Sequence, residues 1–337
     1  MEGAAVDVHI SIVNHENRDL VRACLESLPE ACNRLAYRTT VVDNVSRDGS
    51  LEMLAQEFPD VLVMANARRL GFGANHNQVL RTLLADGSAR YALILNDDTV
   101  LRPGAVAAMV ARLDADPRAA ATVPTIEDEH GRVAASRLAY PTARTCLVTD
   151  WTDRTEPADP GGFLQGCCLL LRLAAIAEVG MFDERFFLFY EDTDLSRRLA
   201  DAGWELVECS DAVVYHVGHA SVFKPGYIEL TPRQGRRSRY LYLAKHHGRV
   251  RAELITALGR LLLLVRAVKA SAGWHLLGDE GRRDRARRLF GLVGFNPRRP
   301  LQAERAATDP ASTARGGPGL PPAMDRSERS GTGGCTS

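Results

Sequence analysis

The chain has 337 residues, of which 45% are hydrophobic and 25% charged, an ordinary globular composition that excludes a largely disordered chain. The formal net charge is zero, yet residues 233–299 hold 17 Lys/Arg against 4 Asp/Glu, so an acidic body carries a basic C-terminal segment. Such a segment indicates a polyanion or an anionic membrane surface as partner, unless it is a solvated helical face. We expect no nucleic-acid partner.

The cysteines, the N-terminal residues and the apolar runs indicate in which cellular compartment the protein is found. Seven cysteines are present without a CxxC pair, which favours a reducing cytosol. The N-terminal "MEGAAVDVHISIV" has no basic region before its apolar residues, so no signal peptide is predicted. The apolar run 261–265, like the seven-residue run 105–111, falls far short of the ~20 residues that a membrane span needs. We expect a cytoplasmic protein, with peripheral contact at the inner face of the plasma membrane left open.

Strands and helices alternate over the first 124 residues. Runs rich in β-branched residues predict the strands, and apolar spacing of three and four predicts the helices. The predicted strands are 6–13, 39–43, 61–65, 91–96 and 119–124, and the predicted helices are 18–28, 51–58, 74–86 and 103–116. This alternation is typical of βαβ units and a mainly parallel sheet.

The alternation loosens after residue 125. We predict strands at 163–172, 204–209 and 212–216, helices at 173–180 and 191–203, and an apolar helical stripe among arginines at 236–270. From residue 301 almost no core-forming residue occurs. The chain therefore divides into a catalytic domain at 1–225, a basic amphipathic helical segment at 226–296 and a disordered tail at 297–337.

Polar residues follow the predicted strands at the edge where an open parallel sheet binds ligands. After the first, second and fourth strands these residues are Asn14, Asp43, Asn44, Asn96, Asp97 and Asp98. Closely spaced carboxylates at the end of "YALILNDDT" suit Mg²⁺ or Mn²⁺, which commonly hold substrate phosphates. The alternative is that Asp98 or Thr99 caps the helix that follows Pro103.

The stretch "FFLFYEDTDLSRR", residues 186–198, joins an aromatic cluster to three acids. Acidic residues suit the first turn of a helix, which is the simpler interpretation. The alternative is a chemical role for the acids, with the aromatic residues forming a partly dry wall beside them. Asp194 would orient the helix through Arg197 or Arg198.

The motifs in this order resemble the inverting family-2 glycosyltransferases of the GT-A fold, in the rhamnosyltransferase branch. The resemblance runs from Val8 to Ser221. It rests on "VVDNVSRDGS", "RLGFGANHN", "LILNDDT", "FLQGCCLLLR", "VGMFDERFFLFYEDTDLSRRLADAGW" and "AVVYHVGHAS". It implies an α/β fold, with a mainly parallel Rossmann-like sheet between helices, followed here by a C-terminal helical extension.

The resemblance also implies roles for individual residues. Asp43 would bind the nucleotide base and Asn14 would line the same pocket. Asp98 would bind the metal, with His216 able to reach the metal or the diphosphate, and Asp192 would be the catalytic base. The remaining residues implied to bind substrate are Asn44, Gly71, Asn75, Asn96, Asp97 and Glu191. Glu16, Arg69 and Asn96 depart from the family pattern, which affects the nucleotide contacts more than the catalytic step.

The implied reaction moves a sugar from a dTDP- or UDP-sugar to a hydroxyl of a lipid-linked saccharide or a small molecule. The leading donor is dTDP-rhamnose. Mg²⁺ or Mn²⁺ would assist. A nucleotidyltransferase is the rival enzyme, but it needs a Gly-rich basic phosphate loop after the first strand, and "NHENRD" is not one. A non-catalytic sugar-binding protein is the other rival, and it would not need Asp98 or Asp192.

The helical stripe also has two interpretations. In the first interpretation, the stripe packs on the catalytic domain through Leu254, Leu258, Leu261 and Val265. In the second, these residues lie on a membrane, with the neighbouring arginines near anionic lipid.

Overall fold

The computed structural model describes residues 6–128, 130–142, 145–146, 158, 161–217, 231–277 and 280–301. The first half consists of β1 Val6–Asn14, α1 Arg18–Cys32, β2 Tyr37–Asp43, α2 Ser50–Glu57, β3 Leu62–Ala65, α3 Phe72–Asp86, β4 Ala89–Asn96, β5 Thr99–Leu101, α4 Ala105–Asp114 and β6 Ala119–Glu127. The second half consists of β7 Val133–Ala134, β8 Arg137–Leu138, β9 Phe163–Leu164, β10 Cys168–Arg172, α5 Leu173–Val179, α6 Glu191–Asp201, β11 Glu205–His216, α7 Thr231–His246, α8 Arg249–Leu277 and α9 Glu280–Val293.

One large sheet organises the described chain. Its strand order is β3-β2-β1-β4-β10-β6-β11-β5, with β7 on β6, and β8 pairs separately with β9. The four strands from β3 to β4 are parallel, whereas β10 is antiparallel to both β4 and β6. The carboxyl ends of β1, β2 and β4 therefore meet at one edge, as the sequence predicts for a mainly parallel α/β fold.

Apolar side chains cover both faces of this sheet. Alternate residues of β4 point to opposite sides, so Leu93 and Leu95 join α1, α2 and α4 in one core, and Ala92 and Ile94 join α3, α5 and α6 in the other. Strands buried on both faces read as continuous hydrophobic runs, which is why "YALIL" is so apolar. The sheet is rigid enough to hold polar groups at fixed distances beyond its edge.

Several predicted elements differ from the structure. The strand predicted at 163–172 is two strands, β9 and β10, separated by a turn. The strands predicted at 204–209 and 212–216 are one strand, β11, whose register shifts between Cys209 and Val213. This irregularity absorbs the polar residues that suggested a break. The helix predicted from 103 begins at Ala105, after Gly104 with φ 76°.

The C-terminal segment contains three helices in its described part. The stripe predicted at 236–270 divides between α7 and α8, because Gly248 has a positive φ of 87° and interrupts the helix. None of the helices of the described residues is long and apolar enough to cross a membrane. Of the tail predicted at 297–337, residues 297–301 are described, and Arg237 Nη1 donates to the Pro297 carbonyl at 3.1 Å. The rest of the predicted tail lies outside the described residues.

Candidate active site

The end of β1 lies beside the end of β2. Asn14 and Asp43 are partners in the parallel register, and Asn14 Nδ2 donates to Asp43 Oδ1 at 3.1 Å. The turn after β2 completes the group, since Asn14 Nδ2 also lies 3.1 Å from Ser46 Oγ and the Ser46 backbone N–H donates to Asp43 Oδ2 at 3.0 Å. Both predicted base-binding residues are buried. Among the described residues, Asn14 Oδ1 has no hydrogen-bond partner.

An asparagine network shapes the loop before α3. Asn44 accepts from the Leu70 backbone N–H at 2.8 Å and donates to the Leu70 carbonyl at 3.0 Å. Asn75 donates to the carbonyl of Gly71 at 2.9 Å, and Asn66 Nδ2 donates to Asn75 Oδ1 at 2.6 Å. The predicted loop residues are thus hydrogen-bonded to one another around the backbone that leads into α3.

The end of β4 carries the acidic motif. Asp97 faces the β1–α1 loop, where its Oδ2 accepts from Asn17 Nδ2 at 3.0 Å and from the His15 backbone N–H at 3.3 Å. Asp98 faces the end of β11, with Oδ1 3.1 Å from His216 Nε2. The helix α4 begins after Gly104, so neither Asp98 nor Thr99 caps it, and Thr99 instead opens β5. The helix-cap interpretation of this motif is wrong.

His216 is half-buried between Asp98 and Asn96, whose Nδ2 lies 3.4 Å from His216 Nε2. Burial opposes a charge on this imidazole, but its contacts with the Asp98 carboxylate and with Cys167 raise the pKa of His216 to about 10. The strand β11 therefore brings an imidazole ring into hydrogen-bond contact with the acid at the end of β4.

Two glycines join the halves of the site. A Cβ on Gly71 would lie 2.5 Å from the Phe187 carbonyl oxygen, and the Phe72 backbone N–H donates to that oxygen at 2.8 Å. A Cβ on Gly166 would lie 3.4 Å from Asp192 Cβ, and the next residue, Cys167, accepts from the Asn96 backbone N–H at 2.9 Å. These close approaches bring the predicted base toward both the nucleotide loop and the end of β4.

The predicted base lies in the first turn of α6, as both interpretations of the 186–198 stretch require. Glu191 is buried, and Asp192 is half-buried with its Oδ1 accepting from the Thr193 backbone N–H at 2.6 Å and from Thr193 Oγ1 at 3.0 Å. Phe186, Tyr190 and Tyr242 form a buried aromatic cluster behind this turn. The helix start and the aromatic wall are thus two aspects of one local structure.

Asp194 holds this helix from behind. Its side chain is fully buried, with Arg198 Nε at 2.9 Å, Lys245 Nζ at 2.7 Å and His246 Nε2 at 2.7 Å. Burial alone would raise the pKa of the Asp194 carboxyl, but its hydrogen bonds with His246 and Lys245 and the charge of Arg198 lower it. The prediction that Arg197 or Arg198 would pair with Asp194 is met by Arg198.

Backbone strain marks the same two loops. Five described non-glycine residues have positive φ, and four of them adjoin predicted site residues. Glu16 and Val45, at φ 57° and 67°, flank the Asn14–Asp43 pair, and Phe189 and Tyr190, at φ 68° and 70°, precede Glu191. A β-branched or aromatic residue in this region is costly, and such strain persists where the surroundings fix the backbone for a function.

Sequence reasoning missed several residues that complete the site. Ser46, Asn66 and Asn17 complete the polar groups at the strand ends, and a polar turn was the available signal for Ser46. Lys245 and His246 reach Asp194 from α7, about fifty residues along the chain, and no local pattern indicates that contact.

Comparisons with known proteins agree with this geometry. Residues 6–240 match the family described as "Glycosyltransferase like family 2". N-acetylglucosaminyl-diphospho-decaprenol L-rhamnosyltransferase from two strains of Mycobacterium tuberculosis is 32% identical over an alignment of 237 residues that covers 61% of this chain and 74% of that protein. A mannosyltransferase from Pyrobaculum calidifontis, solved with GDP-Man and Mn²⁺, has the same fold, with a TM-score of 0.50 at 16% identity over 87% of this chain and 86% of that one.

These findings decide between the enzyme classes that the sequence left open. The family match covers the described sheet and the residues of both site halves, so neither the nucleotidyltransferase nor the non-catalytic sugar-binding protein is retained. The chain belongs to glycosyltransferase family 2 and is a GT-A glycosyltransferase that uses a nucleotide sugar.

Proposed function

We propose that the enzyme transfers a sugar from a nucleotide-sugar donor to a hydroxyl of a lipid-linked saccharide, with inversion at the anomeric carbon. The leading donor is dTDP-rhamnose. The observation that carries this proposal is the position of Asp192, in the first turn of α6 and against Gly166, one residue from the backbone contact to Asn96. The name of the Mycobacterium tuberculosis relative supports the sugar and the lipid-linked acceptor.

Asp192 is the group that we assign to the proton transfer. Thr193 holds its Oδ1 through two hydrogen bonds, so Oδ2 takes the proton of the acceptor hydroxyl. The hydroxyl oxygen forms its bond to the anomeric carbon as the bond from that carbon to the diphosphate oxygen breaks. The electron pair of the broken bond leaves on the diphosphate. A single displacement of this kind inverts the anomeric configuration, and its transition state has oxocarbenium character.

The nucleotide base is assigned to the pocket at the ends of β1 and β2. Asn14 Oδ1 is a buried acceptor without a partner among the described residues, and buried acceptors are normally satisfied. Thymine, uracil and guanine each carry a ring N–H that would donate to it, whereas adenine and cytosine do not. A dTDP- or UDP-linked donor therefore fits the pocket, which Asp43, Asn44, Gly71 and Asn75 shape with the adjoining loop, and a donor screen separates it from a GDP-linked one.

A divalent cation, Mg²⁺ or Mn²⁺, fits the end of β4. No group of three or more His, Cys, Asp or Glu side chains in the described part of the chain is arranged to hold a metal. Asp98 and His216 would supply one oxygen and one nitrogen ligand, which suits ions that take their remaining ligands from water and substrate phosphates. A bound cation would act as a Lewis acid for the leaving diphosphate. Asn96 and Asp97 keep the motif in place, Asp97 through Asn17.

A lipid-linked acceptor would require the enzyme to work at a membrane surface. A lipid-linked saccharide stays in the bilayer, so we propose that the protein acts in the cytoplasm as a peripheral protein at the inner face of the plasma membrane. Glu191, buried next to Asp192, is assigned to the acceptor sugar.

The experiment is a donor screen followed by product analysis. Purified full-length enzyme with Mn²⁺ is given dTDP-, UDP- and GDP-sugars, and nucleotide release is measured with and without an N-acetylglucosaminyl-diphospho-lipid acceptor. We expect dTDP-rhamnose to give the highest acceptor-dependent release and NMR to show the inverted anomer. Retention of configuration would exclude the single displacement, and a preference for GDP-sugars would exclude the pyrimidine pocket.

A further inference from the structure

One face of α8 presents an unbroken apolar stripe to solvent. The stripe consists of Val250, Leu254, Leu258, Leu261, Val265 and Val268, whose exposed fractions run from 44% to 74%. At 100° per residue these six lie within an arc of about 80°, and they extend over about 27 Å of helix. A row of large apolar side chains of this length indicates an interaction surface.

The opposite face of α8 makes the contacts within the chain. Ala252, Leu263 and Ala267 are buried there, and α8 packs on both α7 and α9. The stripe therefore does not pack on the catalytic domain, and that interpretation of Leu254, Leu258, Leu261 and Val265 is wrong. Exposing these apolar side chains to water is unfavourable, and a partner that covers the stripe would remove that cost.

Basic residues border the stripe. Arg251 and Lys269 lie at the same angular position on one edge of the stripe, and Arg266 lies further round on that side, all three exposed. Glu253 is the one acid in the sequence of α8, and its carboxylate accepts from Tyr240 Oη at 2.8 Å and pairs with Arg298. The face thus offers apolar and cationic groups side by side, without an acid of its own to repel anionic headgroups.

The width of the face distinguishes between two occupants. Leu264, on the edge away from the cations, widens the apolar arc to about 120°, and Leu262 lies beyond Arg251 and Lys269 on the other edge, both leucines exposed. A two-helix zipper needs a narrower seam flanked by charges of both signs. One edge here carries only cations and Leu262, and the other carries Ala257 and Leu264 with Glu253 beyond them already paired with Arg298, so the edges offer few charge pairs to a second copy. A broad apolar face with cations at its border is the pattern of a helix that lies in a membrane interface.

We propose that this face of α8 docks the enzyme on an anionic bilayer, with the stripe in the acyl boundary and Arg251, Arg266 and Lys269 near the headgroups. The proposal deepens the proposed function, because α7 connects α8 directly to the helix of Asp192 through Lys245 and His246 on Asp194. Docking would thus hold the catalytic helix close to the surface where a lipid-linked acceptor lies.

The test is flotation of the full chain with vesicles of phosphatidylcholine alone or mixed with phosphatidylglycerol, at low and high salt. We expect binding to the mixed vesicles that weakens with salt. In the double variant Leu258→Glu/Leu261→Glu, partitioning should fall by about two orders of magnitude or more, because two leucines no longer enter the acyl boundary.

A matched control uses exposed apolar residues elsewhere. Leu62→Glu/Val133→Glu adds the same two charges at positions 55% and 68% exposed, and it should bind vesicles like the wild type. Arg251→Gln/Lys269→Gln should lose the preference for anionic lipid. Circular dichroism and donor hydrolysis without vesicles should be unchanged in all three variants, so that a failure of the proposed reaction remains distinguishable from a failure of docking.

Three results would overturn the proposal. One is an absence of wild-type binding to mixed vesicles at low salt. Another is equal flotation of the Leu258→Glu/Leu261→Glu variant. The third is a wild-type dimer in light scattering that this variant dissociates, which would make the stripe a contact between two copies of the chain.

Discussion

Two buried histidines in the N-terminal half of the fold and one buried carboxylate in the C-terminal half differ in their state of charge. In the N-terminal half, burial lowers the pKa of His76 to about 3, and burial together with the charge of Arg38 lowers that of His9 to about 4. Both rings are neutral and hydrogen-bonded, to Ser11 Oγ and Thr40 Oγ1 respectively, each at 2.8 Å. In the C-terminal half, a fully buried Asp194 is ionised among three basic side chains.

The difference shows how each half is held. The nucleotide pocket is built from hydrogen bonds between the ends of β1 and β2 and the turn after β2, so its geometry depends on contacts local to the first four strands. The helix of Asp192 is held by the Asp194 carboxylate and its basic partners, two of which lie on α7. Because a buried charge cluster is stable only when every member is present, the catalytic half depends on the C-terminal extension.

The largest effect should follow from removing the proposed base. Asp192→Asn keeps the shape of the side chain but cannot take the acceptor proton. We expect the rate of transfer to fall by about 10²–10⁴-fold, with donor affinity nearly unchanged, in steady-state kinetics and calorimetric titration of the donor. Asp201→Asn, on the exposed end of the same helix, should transfer sugar normally. Near-normal turnover of the Asp192 variant would remove this residue from the mechanism.

The second prediction breaks the charge cluster. Asp194→Ala removes the fully buried carboxylate that Arg198, Lys245 and His246 share, so the free energy of unfolding should fall by about 3–5 kcal/mol in urea titrations. Asp201→Ala removes an exposed i, i+4 partner of Arg197 and should cost about 0.5 kcal/mol or less. Equal losses in the two variants would mean that α7 does not hold the catalytic helix.

The sequence predicts the N-terminal half of the site better than the C-terminal half, because the first depends on local strand ends and the second on how α7 packs. Asn14, Asp43 and Asn96 end strands that their own apolar runs predict, and parallel topology then brings them to one edge. The contact of His246 with Asp194 depends on how α7 packs, which no residue near either of them encodes. The exposure of the α8 stripe depends on tertiary packing too, since an amphipathic pattern does not say what covers it.

The third prediction concerns the proposed metal ligand. Asp98→Ala removes the oxygen that would join a divalent cation to the donor diphosphate, so donor affinity in Mn²⁺ should fall about tenfold or more. In excess EDTA the wild type and the variant should bind donor equally weakly, which makes the chelated sample its own control. Equal affinities in Mn²⁺ would assign the diphosphate to other groups.

The last prediction concerns the pH dependence of stability, to which His9 in the N-terminal half and Asp194 in the C-terminal half contribute in different pH ranges. The unfolded chain protonates His9 near pH 6.5, whereas the folded chain keeps it neutral down to about pH 4. The unfolded state therefore binds more protons in this window, and stability falls as the pH falls through it, by about 1.4 kcal/mol per pH unit for each such histidine. The lowered pKa of Asp194 has the same sign but acts only below the ordinary range of a carboxyl. Its contribution is complete above that range and is lost at lower pH.

His9→Gln isolates the first window, because a glutamine amide can still reach Thr40 without titrating. Between pH 7.5 and pH 5.5, urea unfolding should show that the wild type loses about 1.4 kcal/mol more stability than this variant. The Asp194→Ala variant should lose as much as the wild type over the same interval, since its missing group titrates at lower pH. If the wild type and His9→Gln lose stability equally, His9 is already protonated in the folded chain. The N-terminal half would then bury a charge as the C-terminal half does.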